Sequence, residues 1–188
     1  MTIKEIKNLI GKMCDLVESR EYNPILEADL SGLLFHLMIT KGKLPPCTLH
    51  LNTRVIGAHS NKQHFDLVIG RVDKGEGVHP AVSPEGIIEI KMFPHGFTTQ
   101  AHSVHFKNIL ERDLPKLGSP QIRMAMRIEF IFDEADYLSG KYRGQIGDGK
   151  YKGKNKKDII VIERNKKAEG TKIVFARKTK EDWEISVN

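Results

Sequence analysis

Between residues 41 and 48 the apolar pattern of the chain switches from a helical to a strand period, and this switch limits the fold more than any other feature. Before it, Ile3, Ile6, Ile10, Met13 and Val17 follow helical spacing behind a Thr2/Glu5 capping-box pair, which predicts a helix over residues 2–19. Asn23-Pro24 predicts a second helix start, with Asn as cap and Pro in the first turn. Leu26, Leu30, Leu33, Leu34 and Leu37 give that helix an apolar stripe, and Gly42 and Pro45-Pro46 end it. After the switch, residues 49–56, 64–70 and 86–93 are short apolar runs bounded by turn residues, as strands are. The polar, Gly- and Pro-containing stretch 71–85 reads as a long connection, and long loops tend to carry function. Residues 99–114 read as a helix and 122–132 as a fourth strand. A helix between strands three and four implies a right-handed crossover to a parallel strand. Residues 158–163 and 171–177 read as a hairpin around Asn165-Lys166-Lys167. The expected fold is α/β (α+β): one domain over residues 1–188, with a mixed sheet flanked by helices in the order αβββαβ over about residues 24–132, and a C-terminal β-hairpin over 158–177.

Composition narrows the function classes. Apolar residues are 39% of the 188, enough for a core and too many for a disordered chain. No apolar run reaches the roughly 20 residues of a membrane span. The N-terminal helix carries charges where a signal peptide has an apolar centre. Cys14 and Cys47 are too few for a disulfide framework, so a cytoplasmic location is expected. The net charge of +6 fits a polyanionic partner. The stretch 141–157 concentrates it: Lys141, Arg143, Lys150, Lys152, Lys154, Lys156 and Lys157 stand against one acid, Asp148, with glycines among them. This basic Gly-rich loop is expected to touch a phosphate backbone, as is 71–85; a plain solvated loop is the alternative.

Two expected strands carry charge inside apolar runs. In the third, Ile88, Ile90 and Met92 share one face, while Ile87, Glu89 and Lys91 share the other. Glu89 and Lys91 therefore point the same way, about 6–7 Å apart along the strand. In the second, Phe65, Leu67 and Ile69 share a face, and Asp66 lies opposite with Val68. Buried unpaired charge is costly, so such groups are normally paired or metal-bound. If the two strands pair, Asp66 and Glu89 meet, and two close carboxylates repel unless a cation lies between them. Oxygen ligands of this kind suit Mg²⁺, which also binds phosphate. Lys91 beside it would orient or deprotonate a water, or stabilise transition-state charge. A structural ion pair is the plain alternative.

Asp66-Leu-Val-Ile-Gly, then Gly86-Ile-Ile-Glu89-Ile-Lys91, resembles the PD-(D/E)xK signature of the restriction-endonuclease-like nuclease superfamily. The order αβββαβ is similar to that family's core, over about residues 24–132. The resemblance implies that Asp66 and Glu89 are metal ligands, that Ile90 adds its backbone carbonyl, and that Lys91 serves the water. The family often places a Glu on the helix before the sheet. Glu27, about 20° from Leu34 and Met38 by helical phase, then becomes an outer or second-metal ligand. Glu111-Arg112-Asp113-Leu114-Pro115-Lys116-Leu117 is similar to an Asp-Leu-x-Lys-Leu run that closes the next helix in similar proteins. Position 65 is Phe where the signature's name has Pro, and Gln100 is followed by His102, Val104, His105 and Phe106 rather than the Gln-x-x-x-Tyr of some branches.

The expected activity is that of a Mg²⁺-dependent endonuclease, with Mn²⁺ able to substitute, acting on DNA rather than RNA in restriction or defence, repair or recombination. One site per chain suggests a homodimer for cutting a duplex. The second expectation is a non-catalytic nucleic-acid-binding or assembly module on the same fold; the intact Asp66, Glu89 and Lys91 set favours the enzyme. Two rival signals fail on context. Ile131 to Asp136 looks like a Walker B, and Gly144 to Lys150 nearly matches a P-loop, but Tyr151 follows where Ser or Thr is needed. His95, His102 and His105 cluster after the motif without a full zinc ligand set, and approach to phosphates or to solvent is expected of them.

Overall fold

The computed structural model describes residues 1–56, 63–73, 80–94, 99–117, 126–134, 171–178 and 183–187. The first helix, α1, covers Ile3–Glu18, and Thr2 caps it in a reciprocal box with Glu5. The second, α2, covers Glu27–Thr40. A short 3-10 turn, Pro46–Thr48, leads into strand β1, Leu49–Thr53. Then come β2 (Phe65–Asp73) and β3 (Ala81–Phe93). Helix α3 (Thr99–Asn108) continues into a π-helical turn (Ile109–Asp113) and the one-turn α4 (Leu114–Leu117). Strands β4 (Met126–Asp133), β5 (Thr171–Lys178) and β6 (Trp183–Val187) follow.

The six strands form one mixed sheet in chain order. β1, β2 and β3 are antiparallel neighbours; β3, β4 and β5 run parallel; β6 is antiparallel to β5. On one face α1 and α2 pack Ile6, Ile10, Leu30, Leu34 and Met38 against Ile88, Ile90, Phe130 and Phe132. On the other, Leu117 of α4 joins Val55, Phe65, Val68, Val82 and Ile87. Among the described residues no helix is long and apolar enough to cross a membrane.

Four expectations are corrected. α2 starts at Glu27, not at Asn23-Pro24, because the Asp29 carboxylate accepts the N–H groups of both Ile25 and Leu26 at 2.8 Å and fixes the first turn there. The stretch 71–85 is not one long loop, since β2 and β3 stay paired out to Asp73 and Ala81. A bulge lies just before it: the register shifts between Ile69 and Gly70, and Pro84 precedes the part of β3 that pairs with β4, so its missing N–H removes no bond there. The C-terminal hairpin pairs 171–178 with 183–187, so the second strand of the expected pair is its first. The expected partner, 158–163, lies outside the described residues, as does the basic loop 141–157. Finally, Phe65 sits with Val68 and Ile87 rather than with Leu67 and Ile69. Alternation breaks at Asp66, where the β2–β3 pairing stops.

Gly70 is the residue this bulge depends on. A Cβ there would run into the Ser83 carbonyl oxygen and lie 2.8 Å from a Val82 methyl, so the paired backbone has to shift. Gly70→Ala is expected to cost about 1–3 kcal/mol, read by urea denaturation; an unchanged midpoint would refute the tight approach.

Candidate active site

Ionisable side chains from α2, β2, β3, α3, the π-helical turn, α4 and β4 converge where β3 leaves the apolar core. Each has a local reason to be there. Asp66 is the second residue of β2, and its Oδ2 accepts the Ile90 N–H at 2.8 Å. The side chain thus replaces the strand carbonyl that β2 would have supplied one step further. A residue's N–H and C=O leave a strand on the same edge, so the Ile90 carbonyl also points to that edge, beside Asp66. Glu27 opens α2, where a carboxylate is favoured by the positive helix end. Its Oε2 lies 3.1 Å from Lys91 Nζ, and its Oε1 accepts the Met92 N–H at 3.3 Å.

Glu89 and Lys91 stand on the same face of β3, as alternation requires, but they pair with different partners. Lys91 is held between Glu27 and Asp113, with its Nζ 3.3 Å from Asp113 Oδ2. Glu89 is buried and receives Lys116 Nζ at 2.6 Å on Oε1. The Lys116 ammonium also lies 4.3 Å above the Phe65 ring, a cation–π contact. His105 of α3 contacts the Met92 carbonyl oxygen at 3.0 Å and Glu27 Oε1 at 3.5 Å. In the next strand, Glu129 lies directly beside Glu89 in register and is fully buried. Neither of its oxygens meets a hydrogen-bond partner among the described residues.

The electrostatics separate these groups. Burial, then the charge of Asp66, push the Glu89 carboxyl up to about 8, against the pull of Lys116. Burial disfavours the Lys91 ammonium, yet the charges of Asp113 and then Glu27 outweigh it and hold Lys91 above the ordinary lysine range. Burial raises Asp113 although Lys91 opposes the shift. Burial, then the charges of Asp113 and Glu89, raise Glu129 far above the carboxylate range, so it is carried as a neutral acid.

Glu89 gives a pH dependence of known sign. The folded chain binds this proton more tightly than the unfolded chain, so the stabilisation is full below the ordinary value of 4.5 and is lost as pH rises to about 8. With a chelator present, melting temperature is expected to fall across that window, and Glu89→Gln to remove part of the slope. Equal slopes in the two proteins would sink the assignment.

The structure brings Glu27, Asp66, Glu89, Ile90 and Lys91 to one end of the sheet. Lys141, Arg143, Lys150, Lys152, Lys154, Lys156 and Lys157 lie outside the described residues, as do His95 and the Gly144–Lys150 stretch. Asp133 ends β4 as a buried residue. Asp113 and Lys116 belong to the Asp-Leu-x-Lys-Leu run noted in the sequence, which gave them no role, and Glu129 is not singled out there. Glu129 carried the same signal as Asp66 and Glu89, a charge inside an apolar strand. Among the described residues no three His, Cys, Asp or Glu side chains gather closely enough to hold a metal ion on their own. Comparisons with protein-family models, with curated proteins and with solved structures return no match to this chain.

Proposed function

We propose that the chain is a metal-dependent nuclease of the restriction-endonuclease-like kind, hydrolysing phosphodiester bonds, with DNA the expected substrate. The observation that carries this reading is the Lys91 ammonium, fixed by Glu27 and Asp113 next to the Asp66–Glu89 carboxylate pair. The element order from α2 to β4, helix, three strands, helix, strand, supports the same family resemblance.

The donor set fits Mg²⁺ in kind. Asp66, Glu89 and the Ile90 carbonyl are hard oxygen donors, and Mg²⁺ needs only one or two protein carboxylates because it keeps several waters. Burial first, and then the charge of Asp66, raise Glu89, and a divalent cation would relieve the second of these. Bound there, the ion would acidify a water and neutralise phosphate charge. Mn²⁺ would serve in its place. Lys91 stays protonated at neutral pH, so its part is to donate hydrogen bonds to a phosphoryl oxygen and stabilise developing negative charge, not to take a proton from water. Glu27 orients Lys91, and through the Met92 N–H it also fixes the end of β3. The net charge of +6 would favour approach of a polyanion and make binding weaken with salt.

A second reading keeps the fold without the reaction: a nucleic-acid-binding or assembly module. The observation that favours it is Lys116, which already neutralises Glu89 from within the chain. The two readings separate in one experiment. Supercoiled plasmid, linear DNA and single-stranded RNA are incubated with Mg²⁺ or Mn²⁺, and in parallel with chelator. The nuclease reading expects metal-dependent cleavage of at least one substrate; binding with no cleavage of any would favour the module.

A further inference from the structure

The charged cluster has an apolar neighbour. A cavity of about 340 Å³ opens beside it, lined by Ile25, Leu26, Met92 and Pro94 together with Glu27 and His105. Ile25 and Leu26 are 74% and 62% exposed, more than any other large apolar side chain among the described residues. They are not a loose end, because both of their N–H groups are tied to Asp29. A pre-ordered, exposed apolar pair lining a cavity is what a ligand site requires. The opposite wall is also fixed: the His105 ring contacts the Met92 carbonyl oxygen and meets the Phe93 ring edge-on, 6.2 Å between centroids.

The lining says which part of a nucleic acid fits. No Lys or Arg of the described residues lines the cavity, and the Glu27 carboxylate would repel a phosphate. Its size is at the small end of ligand pockets, suited to one heterocycle and not to a duplex. A nucleobase has apolar faces for Ile25, Leu26, Met92 and Pro94, and polar edges for the Glu27 and His105 side. Glu27 is also the residue that holds Lys91, so an occupant lies one side chain away from the group proposed to contact the phosphate. We infer that this cavity receives an unstacked base of the nucleotide flanking the scissile phosphate, which makes the substrate single-stranded or locally unpaired nucleic acid. This inference rests on the nuclease reading and names its substrate.

Labelled single strands and the matching duplex are tested with Mn²⁺ and Mg²⁺, with one abasic site walked through the strand. Wild type is expected to cut the single strand faster, and an abasic site at one position relative to the cut is expected to suppress cleavage at that bond. The double variant Ile25→Ser, Leu26→Ser alters exposed side chains and leaves the Asp29 cap in place; circular dichroism checks its fold. It is expected to raise KM on the intact strand about tenfold, the scale of one lost base contact, with kcat held, and to lose the abasic effect. Cleavage that ignores strandedness, abasic position and the double variant would overturn the base site and leave the nuclease reading standing. No cleavage of any strand would overturn both.

Discussion

Lys91→Ala is expected to lower metal-dependent cleavage by at least about 100-fold, the usual scale for loss of one preorganised donor at a reacting oxyanion. Lys91 carries this weight because it is held in position and kept charged. Glu27 and Asp113 grip it at 3.1 and 3.3 Å, and its side chain is only 12% exposed. The same grip decides its chemistry. A lysine acting as base would need a depressed pKa, whereas this one is raised. The rate profile is therefore expected to show no limb from Lys91 deprotonation below about pH 10. Removing Lys91 leaves Glu27 and Asp113 without their shared cation, so the melting temperature is measured alongside. Asp66→Ala is expected to abolish cleavage equally, through loss of a metal ligand and of the bond that fixes Ile90. A folded Lys91→Ala that cuts as fast as wild type would sink the nuclease reading.

The sequence exposed the residues of this cluster that share an element and left the pairings between elements hidden. Alternation along a strand is local, so Glu89 and Lys91 were placed on one face correctly, and charge inside an apolar run singled out Asp66. Helical phase brought in Glu27 by the same local logic, and its contact with Lys91 spans 64 residues of sequence. Which carboxylate grips which lysine is a tertiary matter. Glu-x-Lys suggests that Glu89 and Lys91 act together, yet Lys116 takes Glu89 while Glu27 and Asp113 take Lys91. Asp113 and Lys116 come from a π-helical turn and a single turn of α-helix, and the small shift in phase there is invisible to a 3.6-residue reading. Pro84 misled for another reason. It is a turn residue by type, and an irregular stretch inside a long hairpin uses the same type. For α2, Asn23-Pro24 offered a standard start, but Asp29 caps two N–H groups at once and wins the competition.

Glu129→Met is expected to stabilise the protein by about 1–4 kcal/mol, as when buried ionisable groups yield to apolar ones of similar volume. Wild-type Glu129 is fully buried, flanked in register by Glu89 and Ile173, and both of its oxygens lack hydrogen bonds among the described residues. Methionine removes those oxygens and fills the space with a flexible apolar chain. The sign with pH follows from the direction of the shift. Glu129 holds its proton in the folded chain far above the unfolded value, so wild type loses stability as pH climbs past the ordinary range. Methionine does not titrate, and the advantage of the variant should widen from acid to alkaline pH. Thermal melts at both ends of that range read it, at about 2–4 °C per kcal/mol for a chain of this size. A variant that melts lower, or an advantage that shrinks with pH, would contradict the buried neutral acid.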